Sequence, residues 1–402
     1  MPELLPRFYK LFSKISILHW FFVYVFSIIS THILDGQIRE NTGVSLVSDE
    51  GIYLAYSHML SGSNLSDLEQ QHIAGYGKFY WIRCFPLVFP ASLLNRIGID
   101  GVLSLRIVVW VIGFLGFYIF YINSQKTTAK ANANILAAVY FFLFPIAHMV
   151  RFFGIKETLI STNFLLFCVL LNRYYKKDLR LACLIRNVGS RYIFLTAISF
   201  LFLQSYYVLI IIFTFVVFSI FHKSLYLIAM SAGLFAVYLI FNLVSIQMAP
   251  NSDLKLDIVP TQRITSNEAS SGQSFIPKSV ISQAPAFLDS KLENLTDSKP
   301  AADVVRDLKY LHLLYFNFSG SLSSLVSLES IMWLILLGML TLKFLRLRRI
   351  NNSSQIILLM LCFVSAGILL YDENFGTYLR HRDQILLAVL YFASLNHKKS
   401  ET

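Results

Sequence analysis

Long uninterrupted apolar runs are the feature that most restricts how this sequence can fold. Residues 103–122, 193–221 and 225–246 each approach or exceed the roughly 20 residues that a helix needs to cross a hydrocarbon layer about 30 Å thick. A backbone in lipid must satisfy its own hydrogen bonds, so a spanning run forms a helix or part of a closed barrel. Barrel strands would be short and alternating in polarity. The continuous runs therefore predict an all-α polytopic membrane protein.

The composition agrees with this prediction. Of the 402 residues, 56% are hydrophobic and only 14% are charged, whereas a soluble globular domain usually has about a quarter charged residues. The first apolar run, 15–34, follows Arg7, Lys10 and Lys14 and so has the polarity of a signal peptide. It is too long for the hydrophobic region of a typical signal peptide, and no small-residue cleavage site follows. We interpret it as a signal anchor.

The apolar pattern predicts about ten transmembrane helices in a single membrane domain, residues 1–402. The apolar pattern over 192–221 fits either one long helix or two short helices with a turn near 204–207. The predicted spans are 15–34, 102–122, 133–150, 158–172, 192–205, 207–221, 225–247, 325–342, 355–371 and 384–396.

The distribution of basic residues favours the ten-span version with both termini in the cytoplasm. In that topology the inner segments hold 18 Lys/Arg and three acids, and the outer segments hold 15 Lys/Arg and 20 acids, Glu329 included. This asymmetry follows the positive-inside rule. A single crossing over 192–221 would move the basic cluster 343–349 outside. The net charge of +11 then reflects inner-face anchoring and needs no nucleic-acid partner.

The same topology places the unusual polar segments on the outer face. They include a first outer loop, 35–101, and a large, partly flexible outer loop, 248–324. The candidate site residues are Asp49 and Glu50 for catalysis, and Lys78, Lys156, Glu157, Arg380, His381 and Arg382 for substrate binding. Acids in one loop with cations in three others are the ingredients of a reaction centre at a membrane–water interface.

Each candidate also has a structural explanation. Asp49 and Glu50 would stabilise the N-terminus of a helix over 51–60 through its dipole. Lys78 beside three aromatic residues is typical of an interfacial anchor, and Arg380 and Arg382 could extend to lipid headgroups. Only the gathering of all of them on one face favours a site.

The order of motifs resembles the GT-C membrane glycosyltransferases of bacteria, which include protein O-mannosyltransferases and lipid A aminoarabinose transferases. The resemblance begins with Asp49-Glu50 and the following Tyr53, shortly after the first span. It continues with Gly-Lys-Phe-Tyr-Trp at 77–81, a half-buried helix over 85–94, and Arg106 opening the second span. Two prolines that usually follow the lysine of that family are absent after Lys78.

Later motifs extend the resemblance over most of the chain. Pro145 near the end of the third span, Lys156-Glu157 opening the fourth, and Gly-Thr…Arg-His-Arg over 376–382 occur in the family's order. The large C-terminal extramembrane domain of some members is missing.

The resemblance implies an inverting glycosyltransferase that takes a sugar from a polyprenyl-phosphate donor and attaches it to a lipid-linked glycan, lipid or protein acceptor. A carboxylate would act as general base on the acceptor hydroxyl; we assign that role to Asp49, with Glu50 or Glu157 orienting the acceptor or a metal. Cations would stabilise the departing lipid phosphate; Lys78, Arg380 and Arg382 are the candidates, with His381. A carboxylate pair is compatible with Mg²⁺ or Mn²⁺.

Two other functions remain open from the sequence. An O-antigen-type polysaccharide polymerase also uses polyprenyl-linked sugars, and its large loop falls late in the chain, as 248–324 does. A lipid or sugar transporter or flippase would place ionisable residues at mid-membrane depth and often shows repeated halves, neither of which we find. We expect a bacterial inner-membrane protein with a periplasmic active site.

Overall fold

The computed structural model describes residues 4–42, 50–76, 78–144, 151–175, 180–181, 186–248, 321–347, 353–369 and 375–395. Within these residues the regular structure consists of helices, and they contain no strand. The helices are α1 (Leu4–Lys14), α2 (Ile17–Thr42), α3 (Glu50–Ser61), α4 (Asp67–Tyr76), a 3-10 helix (Tyr80–Cys84), α5 (Phe85–Arg96), α6 (Gly101–Thr127), α7 (Lys130–Leu143), α8 (Glu157–Tyr174), α9 (Val188–Leu203), α10 (Tyr206–His222), α11 (Leu225–Met248), α12 (Ser321–Leu347), α13 (Ser353–Leu369) and α14 (Phe375–Ser394).

Two helices of the described chain are long and apolar enough to cross a membrane. They are α6 and residues Leu225–Val244 of α11. Seven shorter apolar helices accompany them, at Ile17–Ile33, Lys130–Leu143, Val188–Leu203, Tyr206–His222, Ile331–Lys343, Ser353–Ser365 and Gln384–Ser394. The all-helical fold is consistent with a helical membrane protein.

The apolar side chains exposed on the outside of the bundle are also consistent with a helical membrane protein. Along α2, Phe22, Phe26, Ile29 and Ile33 follow one helical face and are each more than half exposed. Soluble monomers rarely expose a continuous apolar surface of this kind, which would contact lipid favourably.

Each of the ten predicted spans overlaps a helix of the described chain, and the interruption near residue 204 is confirmed. α9 ends at Leu203 and α10 begins at Tyr206, so 192–221 forms two helices. α2 continues to Thr42, eight residues beyond the predicted end of the first span. The predicted helix over 85–94 is present as α5. Most of the predicted loop 248–324, and residues 145–150 of the third span, lie outside the described residues.

Two groups of hydrogen bonds identify the two opposite ends of the helix bundle. At one end, the start of α6 meets the end of α2 and the start of α3 through Arg106. We call this the Arg106 end. At the opposite end, Asn134 of α7 donates to the carbonyls of Phe12 and Ile15. At 1.5 Å per residue, Arg106 and the last residue of α6, 21 positions later, are separated by about 30 Å, the thickness of a hydrocarbon layer.

Candidate functional site

Arg106 joins two carboxylates that are 56 and 71 residues away in sequence. Its Nε donates to Glu50 Oε1 at 2.7 Å and its Nη2 to Glu50 Oε2 at 2.8 Å, forming a two-pronged pair. The same Nη2 donates to Asp35 Oδ2 at 2.7 Å. All three side chains are at least 97% buried. A guanidinium buried in an apolar bundle is stabilised only when its partners are held in good geometry, and here they are.

Two further contacts complete the surroundings of Arg106. Its Nη1 lies 3.0 Å from Nδ1 of His32, one turn before Asp35 on α2. Its guanidinium carbon lies 5.2 Å from the centre of the Phe153 ring. The network therefore ties α2, α3 and α6 to the connection between α7 and α8.

The connection 151–156 is fixed by backbone contacts. The Gly154 N–H donates to Glu50 Oε1 at 2.8 Å, and the Trp110 indole donates to the Phe152 carbonyl at 2.8 Å. A Cβ on Gly154 would lie 2.6 Å from Leu105 Cβ and 3.0 Å from Glu50 Oε1. Only glycine allows the chain to approach the Glu50–Arg106 pair this closely.

A second arginine, Arg151, is the first residue of this connection and is completely buried. It donates to the Tyr140 hydroxyl at 2.6 Å and to Ser161 Oγ at 2.8 Å. Its guanidinium carbon stands 4.8 Å from the centre of the Tyr140 ring, and Thr158 donates to its carbonyl at 3.1 Å. Arg151 thus joins the end of α7 to the first turns of α8.

The 3-10 helix lies next to the start of α8. Burial raises the pKa of the Cys84 thiol to about 11, although the charges of Lys156 and Arg83 act in the opposite direction, while that of Glu157 adds to the rise. These charges act on one thiol because they are close to it. The Lys156–Glu157 motif and the segment after Lys78 are therefore neighbours, with Glu157 buried and Lys156 partly exposed.

α3 is held in place by α4 and α5. Oε1 of Glu69, in α4, forms a hydrogen bond with Nδ1 of His58 at 2.7 Å. Oε2 of the same carboxylate accepts from the Ser66 backbone N–H at 2.8 Å. Burial would raise the pKa of Glu69, but the hydrogen bonds from Ser66 and the contact with His58 outweigh it, and the pKa lies below its ordinary 4.5. Asn95 of α5 donates to Ser57 at 2.8 Å.

The structure brings several of the predicted site residues to the Arg106 end. Glu50 begins α3, as expected for an acid at a helix N-terminus, and Lys156 and Glu157 begin α8. Lys78 is exposed, two residues before the 3-10 helix. Asp49 lies outside the described residues, directly before Glu50 in sequence. Arg380, His381 and Arg382 belong to the first two turns of α14; their side chains lie outside the described part of the chain.

Sequence reasoning missed Asp35 and His32, and did not see that Arg106 pairs with Glu50. A signal was present: Asp35 ends one apolar run and Arg106 lies inside another. Ionisable residues in such positions usually have partners. The described residues contain no group of three or more His, Cys, Asp or Glu that could hold a metal ion.

No protein-family model matches this chain, and neither the curated proteins nor the solved structures contain a match.

Proposed function

We propose that this protein is a membrane-embedded, inverting glycosyltransferase that moves a sugar from a polyprenyl-phosphate donor to an acceptor on the outer face of a bacterial inner membrane. In this proposal the ten apolar helices cross the bilayer, both termini are cytoplasmic, and the Arg106 end faces the periplasm. The motif resemblance to GT-C enzymes supplies the reaction class.

The observation that supports the proposal is the three-way contact among Arg106, Glu50 and Asp35. Both oxygens of Glu50 are engaged by Arg106, and one also accepts from the Gly154 N–H. A carboxylate held in this way is poorly suited to accept a proton from a substrate. It is well suited to fix the N-terminus of α3, which Asp49 directly precedes in sequence. We therefore assign Glu50 as a positioning residue and Asp49 as the general base.

The proposed reaction is a single displacement. The acceptor hydroxyl oxygen bonds to the anomeric carbon, and the bond between that carbon and the phosphate oxygen breaks. Asp49 takes the hydroxyl proton, and polyprenyl phosphate leaves with the bonding electrons. A base of this kind contributes on the order of 10²–10⁴ in rate.

The cations would stabilise the negative charge that develops on the leaving phosphate. Arg380 and Arg382 match a phosphate with paired N–H groups, which lysine cannot do. In this proposal Lys156 and Lys78 would add further positive charge. Glu157, buried at the start of α8, would orient the acceptor.

The test is a mass-spectrometric comparison of envelope glycans from cells with and without the gene. A glycan that lacks one sugar residue supports the proposal. A shortened distribution of repeat units would instead indicate a polymerase. An unchanged glycan structure made in smaller amount, with lipid-linked sugar accumulating on the inner leaflet, would indicate a transporter.

A further inference from the structure

Gln384 is a buried amide of α14 that no part of the site described so far uses. Its side chain is 1% exposed. The hydroxyls of Tyr206 and Tyr207 both donate to its Oε1, at 3.1 and 2.9 Å. Its Nε2 makes no hydrogen bond to any described residue. The amide is therefore held at one end and has two unused N–H donors at the other.

The two tyrosines hold this amide in one orientation. Tyr206 and Tyr207 form the first turn of α10, and their rings stack with centroids 4.8 Å apart. Tyr207 also stacks on Phe200, at 5.1 Å, and contacts Phe164, at 5.3 Å. With both hydroxyls donating to Oε1, the amide is oriented and Nε2 is left for another partner.

The position of Gln384 makes an unused donor costly. α14 packs against α8, α13, α6 and α7 within the bundle. Gln384 lies ten residues before Ser394, the last residue of α14, a distance of about 15 Å along the helix axis. A buried N–H without an acceptor loses its hydrogen bonds to water and gains nothing in return. Polar groups retained inside an apolar bundle commonly mark a substrate path.

The missing group must be an acceptor, and the nearby cations of α14 cannot supply one. Arg380, one helical turn earlier, and Arg382 carry only donors. The Nε2 donors of Gln384 therefore require acceptor oxygen atoms from another group. A phosphate has acceptor oxygens and no N–H, and a lipid-borne phosphate reaches this depth when its tail lies among the helices.

We propose that Nε2 of Gln384 donates to a phosphate oxygen of the lipid-linked sugar donor, with Tyr206 and Tyr207 orienting the amide. This inference rests on the proposed function and identifies a further donor-binding residue for it. Gln384 binds the donor in the ground state and in the transition state, and it takes no part in proton transfer.

The test uses the full-length protein in nanodiscs, titrated with polyprenyl monophosphate. Gln384→Glu keeps the one oxygen that accepts from both tyrosines and replaces the NH₂ group by a second oxygen, which when ionised has no N–H to donate and repels phosphate. We expect its affinity to fall by about tenfold or more, and its unfolding temperature in the absence of ligand to fall no further than that of a control with the same substitution at another buried site. Gln355→Glu, a buried glutamine at the start of α13, is the matched control and should bind as wild type.

Tyr207→Phe provides a second variant, because it retains the ring and removes one hydroxyl from Oε1. It should weaken binding by a smaller factor, about two- to fivefold. A parallel titration with inorganic phosphate separates recognition of a lipid phosphate from recognition of any phosphate; saturation by inorganic phosphate at the same concentration would overturn the lipid assignment.

Two results would overturn the inference. One is wild-type affinity for polyprenyl phosphate in Gln384→Glu. The other is an equal loss of affinity in the Gln355→Glu control, which would mean that a carboxylate at any buried position of the bundle weakens binding. Either result would leave the glycan comparison unaffected. Normal glycans in cells without the gene would instead refute the proposed function, even if Gln384→Glu lost phosphate binding.

Discussion

Arg106 compensates two buried carboxylates with one cation, and its planar geometry is what makes this arrangement work. Three N–H groups of one guanidinium reach Glu50 twice and Asp35 once. Lysine has the charge but lacks the fixed fork. The identity of this one side chain therefore decides whether the start of α3 is held against α6.

We expect Arg106→Lys to destabilise the protein by at least about 1.5 kcal/mol, because it loses one or more charge-assisted hydrogen bonds to buried carboxylates. Turnover should fall as well, since Asp49 would lose its fixed neighbour. The measurements are thermal unfolding in nanodiscs and sugar transfer. Arg96→Lys is the control: Arg96 is exposed and, among the described residues, its side chain donates to the Leu60 carbonyl alone, at 2.7 Å, so its change should stay within about 0.5 kcal/mol. Equal effects of the two substitutions would contradict the role given to Arg106.

At the scale of elements, the α7–α8 connection packs so closely against α6 and against Glu50 of α3 that one added carbon at Gly154 should force them apart. Gly154→Ala would bring a Cβ to 2.6 Å from Leu105 Cβ, and overpacking of this kind typically costs about 1–3 kcal/mol. Activity should fall with stability, because Glu50 would have to move. Gly36→Ala is the control, since a Cβ there meets nothing within 4 Å, and alanine in a helix should stabilise it slightly. Unchanged unfolding and activity in Gly154→Ala would show that the connection adapts freely.

The contact between α3 and α4 should depend on pH through Glu69. Its folded-state pKa lies below 4.5, so its contribution to stability is complete above the unfolded-state pKa and disappears as the pH falls through the folded-state value. Glu69→Gln should therefore be less stable than wild type near neutral pH, and the difference should shrink below about pH 4.5. The measurement is thermal unfolding as a function of pH, with Gln71→Ala, an exposed position of α4, as control. A difference that stays constant with pH would exclude the ionised carboxylate as its source.

The elements that sequence reasoning recovered are those with a strong local signal. The apolar runs lie in helices of the described chain, two of them long and apolar enough to cross a membrane and seven shorter. The break at 204–205 was expected because inner and outer charges would otherwise be reversed. The extension of α2 to Thr42 was missed, because residues 35–42 are polar and lack the apolar pattern used to place its end. The Asp35–Arg106–Glu50 contact was also missed, since it joins residues far apart in sequence through tertiary packing alone.

At the scale of the whole molecule, sugar transfer in the periplasm requires that the Arg106 end face the outside. Single cysteines in a Cys183→Ser background test this, because Cys84, Cys168 and Cys362 are buried. A cysteine at Ser63, in the exposed turn between α3 and α4, should react with an impermeant reagent in intact cells. A cysteine at Ser270, in the segment 248–324, should do the same. The control is Ser13→Cys in α1, which should react only after permeabilisation. The reverse pattern would invert the topology and remove the site from the periplasmic face.

Asp49→Asn tests whether Asp49 is the general base of sugar transfer, because it removes the proposed base and keeps the shape of the side chain. The matched control is Asp67→Asn, which neutralises an exposed acid in the first turn of α4, within the same predicted loop. The measurement is envelope glycan composition in cells lacking the gene and complemented with each variant at equal membrane level. If Asp49 is the base, Asp67→Asn restores the missing sugar, and Asp49→Asn lowers the transfer of that sugar by about 10²-fold or more. Restoration of the sugar by Asp49→Asn to the wild-type level would contradict the account.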